Sequence, residues 1–331
     1  MNDAEPPESP LGAAEGTVGQ RATEAFALLG DETRLAVLLA IWEGHDLRAD
    51  DNAVPFSQIF ERVGHDDPGN LRYHLKKLEG QFVRQRAERG GYELRVPAQK
   101  LVRAVLAGAG IHDERLEPTE IDQPCPFCDA STTMSYREGI LFWACHDCGG
   151  MTPGRDFAPF DPPGPLFAQP FDPAGLRGRT PEELWAASVV VGRQRLRSMW
   201  DGVCPTCSGS VARWFDRCPD HDVDGCEACG LRFGTTAHFR CRTCEYHDGS
   251  SPRRLALFHP AVVSFYDDHG VSTRVRADDV AHAKRVYDLV RDHDVTVVDD
   301  APIRVAVTAE RDGEAIRLTF DETVRVVDVD R

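Results

Sequence analysis

Cys125-Pro126-Phe127-Cys128, sixteen intervening residues, then Cys145-His146-Asp147-Cys148-Gly149-Gly150 is the stretch that decides how this chain folds. A structural zinc ion requires four nitrogen or sulfur ligands near tetrahedral angles, and two C-x2-C pairs at the foot of a hairpin supply them. Between the pairs, Ser131–Tyr136 and Ile140–Ala144 read as strands, with Arg137-Glu138-Gly139 as the turn. A disulfide framework would need an oxidising compartment. The amino-terminal segment, acidic and rich in Ala, Gly and Pro, lacks the basic, apolar and small-residue order of a secretion signal. The reading is cytoplasmic, with reduced thiols serving as ligands.

The stretch 120–151 resembles a zinc ribbon. Cys125-Pro126-Phe127-Cys128 alone also resembles a glutaredoxin active site, but that chemistry needs a helix after the first cysteine inside a βαβ frame. Here a strand-rich hairpin and a second pair follow. Iron–sulfur clusters also take four cysteines, yet hairpin-spanning C-x2-C pairs favour zinc.

A second cluster lies further on: Cys204-x2-Cys207, Cys218-x2-His221, Cys226-x2-Cys229 and Cys241-x2-Cys244. Cys204, Cys207, Cys226 and Cys229 read as the knuckles of another ribbon. That pairing leaves Cys218, His221, Cys241 and Cys244 for an interleaved site, an order similar to a RING cross-brace. Sequential pairing is the alternative, and spacing does not choose between them. His238 and His247 are alternatives to His221. Eleven cysteines and one histidine make three closed four-coordinate sites, three Zn2+ per chain, structural rather than catalytic.

The chain of 331 residues carries 54 acidic and 38 basic residues, a net charge of −16. Lysine occurs four times, at Lys76, Lys77, Lys100 and Lys284. An acidic, lysine-poor surface suits a halophilic protein. Such a charge opposes non-specific nucleic-acid binding by the chain as a whole, so any contact requires a local basic patch. No apolar run approaches the ~20 residues of a membrane-spanning helix, so no membrane role is expected.

One basic patch exists. From Asn70 to Arg103 there are nine basic and three acidic residues, net +6, with three of the four lysines. Upstream, Ala25–Leu29 ends one helix at Gly30, and Asp31 caps the next, with Leu35, Leu38, Leu39 and Trp42 at helical spacing. A short helix fits Phe56–Val63, and Gly64 stops it. Asp66-Asp67-Pro68 restarts a helix over Gly69 to Leu78. On it Leu71, His74 or Leu75, and Leu78 face inward; Asn70, Arg72, Tyr73, Lys76 and Lys77 face outward. Phe82–Arg86 and Tyr92–Val96 then make a hairpin.

ALLGDETRLAVLLAI, followed by NLRYHLKKLEGQFV and that hairpin, resembles the ArsR-type winged helix-turn-helix of prokaryotic transcription regulators. The resemblance covers 21–109. It implies a homodimer on double-stranded DNA, with Asn70, Arg72, Tyr73, Lys76 and Lys77 in the major groove. It adds Arg84, Arg86 and Arg89 from the wing, and Leu101–Leu106 in a dimerisation helix. No cysteine precedes position 125, so the inducer thiolates of arsenic- or cadmium-sensing members are missing. In molar salt the Debye length is only ~3 Å, which shifts the burden to direct base contacts such as Arg72 or Asn70 provide.

The expected architecture is a multi-domain α+β chain. It comprises a disordered tail (1–20), a winged helix-turn-helix (21–109), a zinc ribbon (120–151) and a linker (152–178). A helix plus RING-like two-zinc module (179–250) and an α+β segment (251–331) complete it. In the module, Thr180-Pro181-Glu182-Glu183 opens a helix to about Trp200. In the last segment helices are expected near Leu255–Asp268 and Ala277–Asp292. Strands are expected around Val295–Val298, Ile303–Ala309, Ala315–Phe320 and Thr323–Val329, with a hairpin turn at Arg311-Asp312-Gly313. The layout resembles haloarchaeal helix-turn-helix regulators with zinc-ribbon extensions. No P-loop, nucleophile elbow, HExxH or dinucleotide loop is present, so no enzyme is expected. The expected function is a DNA-binding transcription regulator, with a protein partner admitted at the zinc modules. The alternative is a zinc-stabilised interaction scaffold that does not read DNA.

Overall fold

The computed structural model describes residues 17–45, 53–64, 66–86, 90–110, 113–153, 164–221 and 226–331. It is mixed α+β, its sheets antiparallel throughout. It divides into two compact units, Met1–Ile111 and His112–Arg331. Among the described residues no helix is long and apolar enough to cross a membrane.

The first unit opens with α1 (Thr17–Leu29), so the expected disordered tail is helical from Thr17; residues 1–16 of that tail lie outside the described residues. Asp31 caps α2 (Glu32–Gly44) by accepting from the Arg34 N–H at 3.1 Å. β1 (Val54–Pro55) leads into α3 (Phe56–Val63), which Gly64 ends in the left-handed conformation. Asp67 then caps α4 (Pro68–Leu78), accepting from the Gly69 N–H at 2.7 Å, with Pro68 in the first turn where no N–H is needed. A hairpin of β2 (Val83–Arg86) and β3 (Gly91–Leu94) follows, then α5 (Val96–Ala107). The sheet order is β1-β3-β2. One core joins Val37, Leu38 and Ile41 of α2 to Ile59, to Leu71, Leu75 and Leu78 of α4, and to Val102 of α5.

The second unit begins with a four-stranded sheet of order β4-β5-β6-β7. β5 (Thr132–Arg137) and β6 (Ile140–Cys145) form the expected hairpin; β4 (Leu116–Ile121) and β7 (Pro165–Pro170) flank it. The stretch expected as a linker over 152–178 therefore supplies an edge strand and a 3-10 turn (Pro173–Leu176); its residues 154–163 lie outside the described residues. Prolines masked both flanking strands in the sequence, and both are edges, where a missing ladder N–H is tolerated. On β4, Pro118 falls where the pairing shifts register.

A 20-residue helix, α6 (Pro181–Trp200), starts at the expected capping box: Glu183 N–H donates to Thr180 Oγ1, and Thr180 N–H to Glu183. Next come β8 (Val211–Arg217), β9 (Thr235–Cys241) and β10 (His247–Ser250), ordered β10-β9-β8. The helix expected over Leu255–Asp268 is two, α7 (Pro252–Ala256) and α8 (Pro260–Asp268). Pro260 pushes His259 out of the helical region, and His259 becomes the N-cap instead. α9 (Val280–Asp292) starts later than expected, at an Asp279 cap. A meander of β11 (Asp294–Asp300), β12 (Ile303–Arg311), β13 (Glu314–Phe320) and β14 (Val326–Asp330) ends the chain. β14 starts beyond the expected Thr323 because Asp321 Oδ1 accepts from the N–H groups of Thr323 and Arg325, both at 2.9 Å, making a turn.

Two cores serve this unit, and α6 enters both. Its first half (Leu184, Trp185, Ala186) packs on Met134, Leu141 and Trp143 of the first sheet. Trp143, Trp185 and Tyr287 of α9 meet edge-on, with ring centres 5.3–5.9 Å apart. The second half (Leu196, Met199) packs with Phe215, Phe239, Leu255, Val307, Leu318 and Phe320. Residues 179–250 and 251–331 thus share one core. Trp200 Nε1–H also donates to the Val324 carbonyl at 2.7 Å.

Because a single helix belongs to both cores, Trp185→Ala and Phe320→Ala are expected to lower the same cooperative transition. Each should cost about 3–5 kcal/mol. Calorimetry showing two separable transitions, each moved by only one substitution, would contradict this.

Candidate metal centres and the basic helix

Three groups of ligand atoms converge, each within 4.8 Å: Cys125, Cys128, Cys145 and Cys148; Cys204, Cys207, Cys241 and Cys244; and Cys218, His221, Cys226 and Cys229. In the first, Sγ separations include 3.5 Å (Cys125–Cys148), 3.6 Å (Cys128–Cys145) and 3.7 Å (Cys145–Cys148). In the second they are 3.6 Å (Cys204–Cys244) and 3.4 Å (Cys207–Cys241). Sulfurs bound ~2.3 Å from one tetrahedral ion lie about 3.8 Å apart, and disulfide sulfurs about 2.05 Å apart. The spacing fits shared coordination of an ion such as zinc, and no disulfide is formed.

The interleaved, RING-like pairing is incorrect, and so is the sequential one. The sites are nested, and the β8–β9 register explains why. Val211 pairs with Cys241, and Arg217 with Thr235. The outer pairs therefore meet at the open end of the hairpin. Cys218, His221, Cys226 and Cys229 are confined to its loop, seven residues or about 20 Å away. Interleaving would require ligands to cross that length.

His221 is the histidine that the fold brings to the third cysteine group. Its Nδ1 lies 3.5 Å from Cys229 Sγ, while Nε2 lies 3.3 Å from the Arg232 carbonyl, placed to donate a proton there. This second contact fixes the tautomer that leaves Nδ1 free to bind. Gly234 lies against the ring, where a Cβ would come within 2.6 Å of it. His238 and His247 are elsewhere, on the outer face of the β8–β9–β10 sheet.

The knuckles share one backbone device. The residue after the second cysteine is left-handed in each of the five C-x2-C pairs: Asp129 (φ 58°), Gly149 (70°), Ser208 (63°), Gly230 (65°) and Glu245 (60°). After Ser208 this turn points the Gly209 N–H at Cys207 sulfur at 3.4 Å, and inside the Cys241 knuckle the Thr243 N–H reaches Cys241 sulfur at 3.3 Å. Burial raises the Cys241 thiol, but the N–H groups of Cys244 and Thr243 and the neighbouring thiols outweigh it and bring it to about 6. In the same group the Tyr246 N–H lowers Cys244, but burial and the neighbouring thiols outweigh it and push that thiol up to about 12, so the fold favours one thiolate and leaves its neighbours to be deprotonated by any ion that binds.

Sequence reasoning missed Arg232. Its Nη2 donates to the Cys148 carbonyl at 2.8 Å and Nε to that of Gly150 at 3.2 Å, while its backbone N–H donates to Met151. The guanidinium lies 4.8 Å from the Phe127 ring centre, and Phe233 meets Phe127 edge-on. One residue thus ties the loop holding His221 to the knuckle holding Cys148. No motif announces it.

In the first unit α4 buries Leu71, His74, Leu75 and Leu78 and exposes Arg72, Tyr73, Lys76 and Lys77; Asn70 is half-buried. The Arg72 guanidinium stacks 4.7 Å over Phe56, and Lys77 Nζ sits 5.5 Å from the Tyr73 ring centre. Arg84 and Arg86 are exposed, but both pair with Glu93, Arg86 at 3.0 Å. The hairpin register, Arg84 opposite Glu93, is the signal that reveals this pairing, in which one carboxylate offsets one of the two positive charges. Arg89 lies outside the described residues.

A profile of the domain family of unknown function DUF7351 matches residues 122–326, more than half of the chain. The chain belongs to that family. A second profile, of the domain of unknown function DUF7347, matches residues 22–105. The two matches fall in the two compact units, one in each. No curated protein and no solved structure matches the chain.

Arg232→Ala is expected to destabilise the second unit by about 2 kcal/mol, because two carbonyls beside Cys148 lose a charged donor. A thermal shift and faster metal release from both the Cys125 and the Cys218 groups to a chelator are the readouts. Release from only one group would disprove the coupling.

Proposed function

We propose that the chain is a sequence-specific DNA-binding transcription regulator whose second unit is held by three structural Zn2+ ions. One observation carries the reading: α4 buries one face in the core and presents Arg72, Tyr73, Lys76 and Lys77 together on the other. The order α3, turn, α4, hairpin supports a winged helix-turn-helix, with α4 entering the major groove. Positive side chains at the surface of a −16 chain favour phosphate contact through counterion release. Phe26 on α1 and Leu106 on α5, 69% and 49% exposed, support a homodimer that covers them. The two closed sets of four cysteines, and the set of three cysteines with His221, would hold zinc in a structural capacity, organising sheets too small to close a core unaided.

The alternative scaffold reading draws on the wing. With Glu93 holding Arg84 and Arg86, the hairpin offers phosphate little net charge. In the regulator, contact then rests on α4.

After dialysis to strip exchangeable metal, elemental analysis is expected to give three tightly held zinc ions per chain, and their removal to unfold the second unit, read by loss of Trp143 and Trp185 burial in fluorescence. Fewer than three would undo the ligand assignment.

For DNA, Arg72→Ala with Lys76→Ala is expected to lower affinity and reduce the slope of log K against log salt by about 2. Glu93→Gln, freeing two arginines, is expected to raise both. Binding indifferent to the double change would sink the regulator in favour of the scaffold.

A further inference from the structure

The outer face of the β8–β9–β10 sheet carries Trp214 and Asp216 on β8, His238 on β9 and His247 on β10, none of them used by the three cysteine groups. His238 pairs with Trp214 on one side and Gly249 on the other. Its ring stacks on Trp214, 5.4 Å between centres and 18° between planes. The His247 ring lies 5.2 Å from that of His238 at 22°. A Cβ on Gly249 would stand 3.6 Å from His238 Nδ1, so the glycine leaves the approach to that nitrogen open. The result is a row of aromatic rings whose histidine nitrogens meet: His238 Nδ1 is 3.1 Å from His247 Nε2. On the far side of the same ring, Asp216 Oδ2 lies 3.6 Å from His238 Nε2.

Two imidazole nitrogens this close either share one proton or direct both lone pairs at one cation. Nitrogens bound ~2.0–2.1 Å from a tetrahedral ion lie about 3.3 Å apart, close to the separation seen. The carboxylate supports the second arrangement. At 3.6 Å Asp216 is beyond hydrogen-bond length, but its negative charge beside Nε2 favours the tautomer with the proton there and the lone pair on Nδ1, the sense in which a carboxylate commonly orients a ligating histidine. We infer that His238 Nδ1 and His247 Nε2 form a fourth metal site, open to solvent, for a borderline divalent transition ion such as Zn2+, Ni2+ or Cu2+, with Asp216 as the positioning residue.

Imidazole pairs select ions of this class over the hard cations Mg2+ and Ca2+, which prefer oxygen. Arg240, the cation on the same face, is held by Glu245 at 2.6 Å, so its charge is locally balanced. Burial and the neighbouring His247 lower the His238 pKa against the opposing pull of Asp216, keeping the ring in the neutral form that ligates. Two protein ligands leave the remaining positions to water. The ion is therefore exchangeable, unlike those of the closed cysteine groups.

The test uses the untagged full chain, loaded with zinc and titrated with Zn2+ against a chromophoric chelator. Bound metal is counted in wild type, His247→Ala and Asp216→Asn. The wild type is expected to hold one more exchangeable ion than His247→Ala, with circular dichroism and the tightly bound ions identical in both. Asp216→Asn is expected to keep that ion with about 10-fold weaker affinity. Equal metal counts in wild type and His247→Ala would leave the pair as an N–H···N hydrogen bond and overturn the site. Because the readout is a difference between two proteins, it holds whatever number of ions the cysteine groups carry.

Discussion

The antiparallel register of β8 and β9 governs the metal arrangement of the second unit. Once Val211 stands opposite Cys241 and Arg217 opposite Thr235, eight ligand positions have only one geometrically permitted division. Four are gathered where the strands open, and four where they turn. The same rule places Cys125 and Cys128 beside Cys145 and Cys148, since Thr132 pairs with Cys145 at the open end of the other hairpin. Two ribbons thus follow one plan, and the second carries an additional site in its loop.

Neither hairpin has enough apolar surface to stand alone. The first buries one face under the opening turns of α6, and the second contributes Phe215, Ala237 and Phe239 to a core shared with α7, α8 and the terminal meander. A helix of 20 residues spans about 30 Å, long enough to reach both. α9 repeats the device, with Ala283 in one core and Val286 and Leu289 in the other. The cysteine groups gather the loops, and hydrophobic burial joins the two hairpins into one unit.

Much of this is legible in the sequence, for identifiable reasons. Local signals are strong: the caps at Asp31, Asp67 and Thr180, the face of α4, the twelve ligand residues and the Asp312-Gly313 turn follow from spacing within a few residues. Non-local facts are not. The ligand partition depends on strand register, and its only trace in the sequence is the alternation of Ala237, Phe239 and Cys241 with His238 and Arg240. β7 hides between two prolines. Arg232 acts through carbonyls more than eighty residues away in sequence, which no motif encodes. The pairing of Arg84 and Arg86 with Glu93 shows the same limit at short range, because a count of charges does not reveal which are already paired.

The left-handed residue after each knuckle has a consequence for how this chain tolerates change. At Gly149 and Gly230 the conformation comes free of Cβ strain, whereas Asp129, Ser208 and Glu245 hold it at about 1–2 kcal/mol each. That cost has to be offset by the contacts around each knuckle and by any ion its ligands share. The knuckles therefore differ in what they become when emptied. Those ending in glycine can keep their shape unassisted; those ending in Asp, Ser or Glu are sprung, and tend to open. All three sprung turns belong to the two ribbon feet, whereas the knuckle inside the loop ends in glycine. The inner group would thus be the better prepared to take up an ion, and the outer ones would depend more sharply on metal supply.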